Sequence, residues 1–230
     1  MKPLFNASFF DITIQIGREG PDSVRWTKQK EMMLSGGLAV FSVLLALLAG
    51  RMCCWLAALA MGVSALGDAL LAGYPERFAG INHRLTKGGA VFLAAHILYM
   101  GALLVSFGKD ALSLLPRFAL PFALFFGLTV LHGAMFYVRV RSAVPRAFFA
   151  AAFFYLLTVG VHAALAFTLS GQAGGGYILN AAGAFLFYLS DAILLAGKFG
   201  AFHGKDTTGL VWLTYVPAQL CILAGLFLAR

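Results

Sequence analysis

Charge is what this sequence has least of. Only 11% of its 230 residues are charged, against 61% hydrophobic, whereas a soluble domain carries roughly a quarter charged residues. A soluble globular domain is thereby excluded. Cysteine is also scarce: Cys53, Cys54 and Cys221 lie in or beside apolar runs. Their odd number and placement offer neither a disulfide framework nor a zinc pattern, and they read as small apolar core residues. Regular alternation over segments of about ten residues, which a membrane barrel needs, is missing too. The sequence shows no internal repeat, no long linker and no second soluble domain.

What is present is continuous apolar sequence, as membrane-spanning helices require. Seven runs are predicted at 33–50, 52–73, 88–107, 112–136, 147–169, 177–197 and 209–228. The fold class is therefore an all-α, polytopic transmembrane bundle, an integral multi-pass membrane protein. Residues 33–230 form the helical domain, preceded by an extramembrane or interfacial segment, 1–32. Phe10–Ile16 alternates apolar and polar, a strand-like period, and Gly17–Asp22 reads as a turn. This segment lacks the basic start, apolar middle and cleavage site of a signal peptide. The first hairpin turns tightly at Gly50-Arg51, Gly171–Gly176 reads as a flexible loop, and Pro116, Pro121 and Pro217 fall inside or at the ends of spans.

The net charge of +8 is distributed as membrane topology, not as a footprint for nucleic acid. With seven spans, 13 Lys and Arg fall on the side of the amino terminus and 4 on the other. By the positive-inside rule the amino terminus is expected in the cytoplasm and the carboxyl terminus outside.

Of nine acidic residues, only Asp68 and Asp191 lie well within a span. A carboxylate in hydrocarbon costs several kcal/mol unless neutralised, paired or facing a wet cavity, so each marks a candidate site. Both spans run from outside to inside, and both put the Asp in the cytoplasmic half, each after a small residue, Gly67 or Ser190. His96 and Tyr99, three apart on one helix face, reach the same depth. Tyr215 and Gln219 occupy the cytoplasmic half and middle of the seventh span. Matching depth predicts one shared polar pocket. His132 and His162 read as packing or interface residues, and His83 and His203 as loop residues.

The stretches Ala60–Leu71 (AMGVSALGDALL), Phe92–Tyr99 (FLAAHILY), Gly183–Asp191 (GAFLFYLSD) and Thr214–Gln219 (TYVPAQ) resemble the YhhN-like lysoplasmalogenase family. The order Gly-Asp, His-x-x-Tyr, Ser-Asp, Tyr-x-x-x-Gln is similar to that family's, over about residues 33 to 230. The resemblance implies eight spans, one more than counted here, with segment 1–32 standing in place of the first. It also implies hydrolysis of the vinyl ether bond of lysoplasmalogens, giving a fatty aldehyde and a glycerophospho-ethanolamine or glycerophospho-choline.

That chemistry needs a carboxylic acid to protonate the outer alkene carbon and a carboxylate to face the resulting oxocarbenium ion, much as in glycosidases. Asp68 and Asp191 are expected in these catalytic roles, in either order. His96, Tyr99, Ser190, Tyr215 and Gln219 are expected to support them and to position water and the ether oxygen. Arg77, Arg84, Lys87, Lys198 and Lys205 are candidates for the phosphate headgroup. No metal and no cofactor are expected. The expected partners are a lysophospholipid substrate and membrane lipids, with no obligate protein partner and no nucleic acid. Two other classes stay open: a metal-dependent intramembrane lipid hydrolase, and a non-enzymatic lipid carrier or transporter. The intramembrane histidines fall on different helices at uneven depth, which speaks against one zinc shell. The lack of internal repeats and broken helices speaks against a transporter.

Overall fold

A computed structural model describes residues 21–74, 81–108, 113–140, 145–198 and 207–229. They form seven helices: α1 (Pro21–Ala49), α2 (Met52–Ala72), α3 (Ile81–Phe107), α4 (Leu115–Val140), α5 (Arg146–Ala173), α6 (Gly176–Lys198) and α7 (Thr208–Leu228). No strand occurs among the described residues. Each helix contains a stretch long and apolar enough to cross a membrane, because a chain in hydrocarbon must satisfy its backbone hydrogen bonds internally. The protein is an all-α membrane bundle, as the sequence predicts.

Three expectations shift at the ends of elements. The first helix begins at Pro21, so the boundary at 32/33 falls inside it. Proline suits a first helical turn, where its missing N–H costs nothing, and Pro21-Asp22 therefore opens a helix instead of closing a turn. Residues 10–16, with their strand-like period, lie outside the described residues, as does 17–20. The supposed flexible loop at Gly171–Gly176 is corrected to a two-residue link. Residues 171–173 still belong to α5, and only Gly174 and Gly175 leave the helix, at φ 62° and 52°. Those left-handed angles are what glycine tolerates at no steric cost. Gly50 (φ 61°) makes the equally short turn from α1 to α2.

The helices α2 and α3 pack closely together, as do α6 and α7. Their neighbours close a ring in the order α1, α2, α3, α5, α6, α7, with α7 also touching α2 and α3. α4 packs on α5 and is the least buried span. Small residues make the close approaches, as they do wherever lipid-embedded helices associate without a hydrophobic driving force. A Cβ on Gly183 would stand 2.7 Å from the carbonyl oxygen of Ala218, and one on Gly67 would stand 2.7 Å from the ring of Phe92. The end of α7 is fastened by Arg51, whose guanidinium donates to the carbonyls of Leu226 (2.8 Å), Phe227 and Ala229. An arginine on the last carbonyls satisfies acceptors the helix leaves open and complements its dipole.

Candidate active site

The two intramembrane carboxyls sit on helices that never touch each other extensively, α2 and α6, and α7 lies between them. Asp68 is partly buried. Its Oδ2 accepts a hydrogen bond from the hydroxyl of Ser35 on α1 at 2.5 Å and another from the hydroxyl of Tyr215 on α7 at 2.9 Å. Asp191 is buried, and its Oδ2 accepts from the hydroxyl of Tyr155 on α5 at 2.6 Å. The two carboxyls are close enough for their charges to interact, and the Tyr155 phenol is within electrostatic reach of both and of Tyr215. Glu31, assigned to the tail by sequence, is helical and one turn before Ser35; its charge also acts on Asp68.

Aromatic rings pack around Tyr215 edge to face. Phe92, Phe187 and Tyr215 meet pairwise at centroid distances of 5.3 to 6.3 Å with steep interplanar angles, and Trp212 meets Tyr215 at 5.3 Å. Edge-to-face contacts of this kind are each worth roughly 0.5–1.5 kcal/mol beyond area burial. The Gly-Asp pair now has a physical account. Gly67 has no side chain because the Phe92 ring occupies that volume, which brings Phe92 over to Tyr215, the residue that holds Asp68. Gly183 plays the same part on α6, letting the backbone of α7 approach at Ala218, next to Gln219.

His96 lies at the centre, buried. Its ring stands edge-to-face on Phe187 at 4.5 Å and 6.2 Å from Tyr155. Its Nδ1 shares a 3.0 Å hydrogen bond with Nδ1 of His162. Tyr99 donates its hydroxyl to Oε1 of Gln219 at 2.7 Å and stacks on His162 at 5.8 Å. Asp68, Asp191, His96, Tyr99, Tyr215 and Gln219 thus fall in one connected cluster. Ser190 is buried, but its hydroxyl goes to the backbone carbonyl of Val211 at 3.2 Å, tying α6 to α7.

One reading needs correction. His162 is not merely a packing residue at a different depth; it touches His96. The error came from starting the third span after Lys87, where hydropathy rises, whereas α3 begins at Ile81. Measured from the starts of α3 and α5, the two histidines lie almost equally far along. Tyr155 and Ser35 were missed as well. Tyr155 carried a usable signal, since it stands eight residues into the fifth predicted span, as His96 does in the third. Ser35 carried none, being one small polar residue in an apolar run. His132 stays on α4, away from the cluster, and among the described residues no group of three or more His, Cys, Asp or Glu could hold a metal. Of the headgroup candidates, Arg77 and Lys205 lie outside the described residues, as does His203. Arg84 lies against Gly73, the left-handed cap (φ 87°) of α2.

Fold and site together define a membrane protein whose described residues form seven helices, with two carboxyls each held by a tyrosine hydroxyl among aromatic side chains. The sequence model of the YhhN family matches residues 31–226, and the chain belongs to that family. No curated protein and no solved structure matches the chain.

Proposed function

We propose that this protein is an ether hydrolase that cleaves the vinyl ether bond of lysoplasmalogen, releasing a fatty aldehyde and a glycerophospho-ethanolamine or glycerophospho-choline. The observation that carries the reading is the paired carboxyls, Asp68 and Asp191, each fixed by a phenol within one cluster of polar and aromatic side chains. Membership of the YhhN family is consistent with a hydrolase.

The hydrogen bonds divide the two roles. Oδ2 of Asp68 already takes two hydroxyl donors, which suits the acceptor-only carboxylate. Asp191 takes only one, so fewer donors oppose its holding the proton. Asp191 passes that proton to the outer alkene carbon, whose π electrons form the new C–H bond. The positive charge then rests on the inner carbon and the ether oxygen. Asp68 faces this cation and stabilises it. Water adds to the inner carbon and gives its proton to a carboxylate. The hemiacetal then breaks its bond to the glycerol oxygen, which leaves protonated as the aldehyde forms. His96, Tyr99, Gln219 and Tyr215 orient the water and the ether oxygen, and basic side chains at the cytoplasmic ends receive the phosphate. The uneven split of Lys and Arg supports an amino terminus in the cytoplasm and a carboxyl terminus outside.

The test is incubation of the purified protein with lysoplasmalogen and detection of aldehyde. Asp68→Asn and Asp191→Asn are each expected to lower turnover by roughly 10²–10⁴, the usual worth of a positioned acid or base, with elution and helicity unchanged. Aldehyde release by both variants at the wild-type rate refutes the reading. A chelator arm addresses the metal-dependent lipid hydrolase. His96 and His162 are the two imidazoles from which such a site would start, and inhibition reversed by added zinc would favour it.

A further inference from the structure

His96 and His162 are 0% and 1% exposed, and the hydrogen bond between them joins Nδ1 to Nδ1. That pairing carries more information than an ordinary histidine contact. A neutral imidazole has one N–H and one bare nitrogen. With both rings uncharged, one Nδ1 must hold the proton and the other must accept it. The ring that donates through Nδ1 is then bare at Nε2, and the ring that accepts must carry its proton at Nε2. The two rings are forced into opposite tautomers.

Among the described residues neither Nε2 has a hydrogen-bond partner, and nor has Nε2 of Gln219 nearby. An unpartnered buried polar atom costs about 1–3 kcal/mol, so two on adjacent rings are a standing cost with no structural return. The rings are also confined. Phe187 and Tyr155 bracket His96, and Tyr99 stacks on His162 with planes 7° apart. Stacking and the shared proton together leave neither ring free to flip.

We infer that His162 is a positioning residue for His96, and that the Nδ1–Nδ1 bond locks the pair so that it offers one bare nitrogen and one N–H, at the two Nε2 atoms, to polar groups that come to lie beside them. One nitrogen accepts a hydrogen bond from water and the other donates to an oxygen. Those are the two needs of a hydrolysis in which water must be oriented and an ether oxygen held. The catalytic half of this inference rests on the vinyl ether reading; the tautomer lock does not.

The experiment begins with the substrate-free protein labelled with ¹⁵N only at histidine. A ¹⁵N–¹⁵N coupling across the hydrogen bond is expected, since in this label it arises only between two histidines. The coupled residues should show one Nδ1–H and one Nε2–H tautomer. Absence of the coupling, identical tautomers, or a doubly protonated ring overturns the lock, whatever any variant does. His162→Phe, of similar size, should leave His96 as a tautomer mixture and lower kcat on lysoplasmalogen by about tenfold to a hundredfold at unchanged KM. His162→Gln, whose amide can still bond Nδ1 of His96, should restore most of both. Wild-type kcat in His162→Phe overturns the positioning role, as does equal loss in Phe and Gln variants. If the wild type releases no aldehyde, the vinyl ether reading fails while the spectrum still decides the lock.

Discussion

Tyr215 holds Asp68 from across the bundle: the phenol of α7 lies 2.9 Å from the carboxyl oxygen of α2, on which Ser35 of α1 also converges. Three helices therefore meet at one oxygen atom. The position of the carboxyl is set by two neutral hydroxyl groups.

Removing those hydroxyls separates geometry from chemistry. Tyr215→Phe and Tyr155→Phe keep the rings and their edge contacts but delete one hydrogen bond to a carboxyl each. A hydrogen bond to a charged group is worth about 1.5–3 kcal/mol, so turnover should fall by about tenfold to a hundredfold in each. Ser35→Ala deletes the other hydroxyl donor to Asp68 and should lower turnover over the same range. Steady-state aldehyde release, with KM and kcat resolved, checks the size of each effect.

The substrate analogues test the carbon-protonation step. A lysolipid with a saturated alkyl ether has no alkene to accept the proton, so it should bind as a competitive inhibitor and remain uncleaved. An ester lysolipid should survive, because acyl transfer needs a nucleophile and an oxyanion hole. Turnover on the vinyl ether should be slower in deuterated water. Ester cleavage at a comparable rate contradicts the mechanism.

Gly67 should tolerate no side chain. In Gly67→Val the new methyl groups collide with Phe92, and overpacking of this kind costs about 1–3 kcal/mol. The melting temperature in detergent should drop by several degrees. Phe92 and Tyr215 should shift together, so activity per folded molecule should fall too.

Arg51 belongs to the opposite end and to stability alone. Arg51→Met removes the donors on the last carbonyls of α7 and should destabilise the protein by roughly 1.5–3 kcal/mol. Thermal unfolding should show the loss, while kcat of the folded fraction stays at the wild-type value.

The orientation is checked by reporters. A fusion after Arg230 and an insertion at Gly174–Gly176 should both report the non-cytoplasmic side. A cytoplasmic signal from the glycine link contradicts the assignment.

The spans were legible because a hydrocarbon-embedded helix must be continuously apolar, and each of the seven runs is a helix among the described residues. Asp68 and Asp191 were legible for the opposite reason, as charges where charge is expensive. Helix starts were not, since hydropathy marks where the chain enters the apolar region and not where it begins to coil: α3 starts at Ile81, and that displaced His162 in depth. Tyr155 and Ser35 escaped because a single hydroxyl inside a span is cheap, and only the folded arrangement shows which oxygen it meets. Ser190 misled in the other direction, since adjacency to Asp191 along a helix turns its side chain elsewhere, here to Val211.

The contact between Asp68 and Tyr215 spans 147 residues of chain, and this has a consequence for biosynthesis. When α2 leaves the ribosome, its carboxyl can meet Ser35 but must wait for about the rest of translation before its phenol arrives. Until then the growing chain carries an acid at the bilayer with one of its two hydroxyl donors absent. Insertion of α7 ends that interval, so a product truncated before α7 lacks the phenol that holds Asp68.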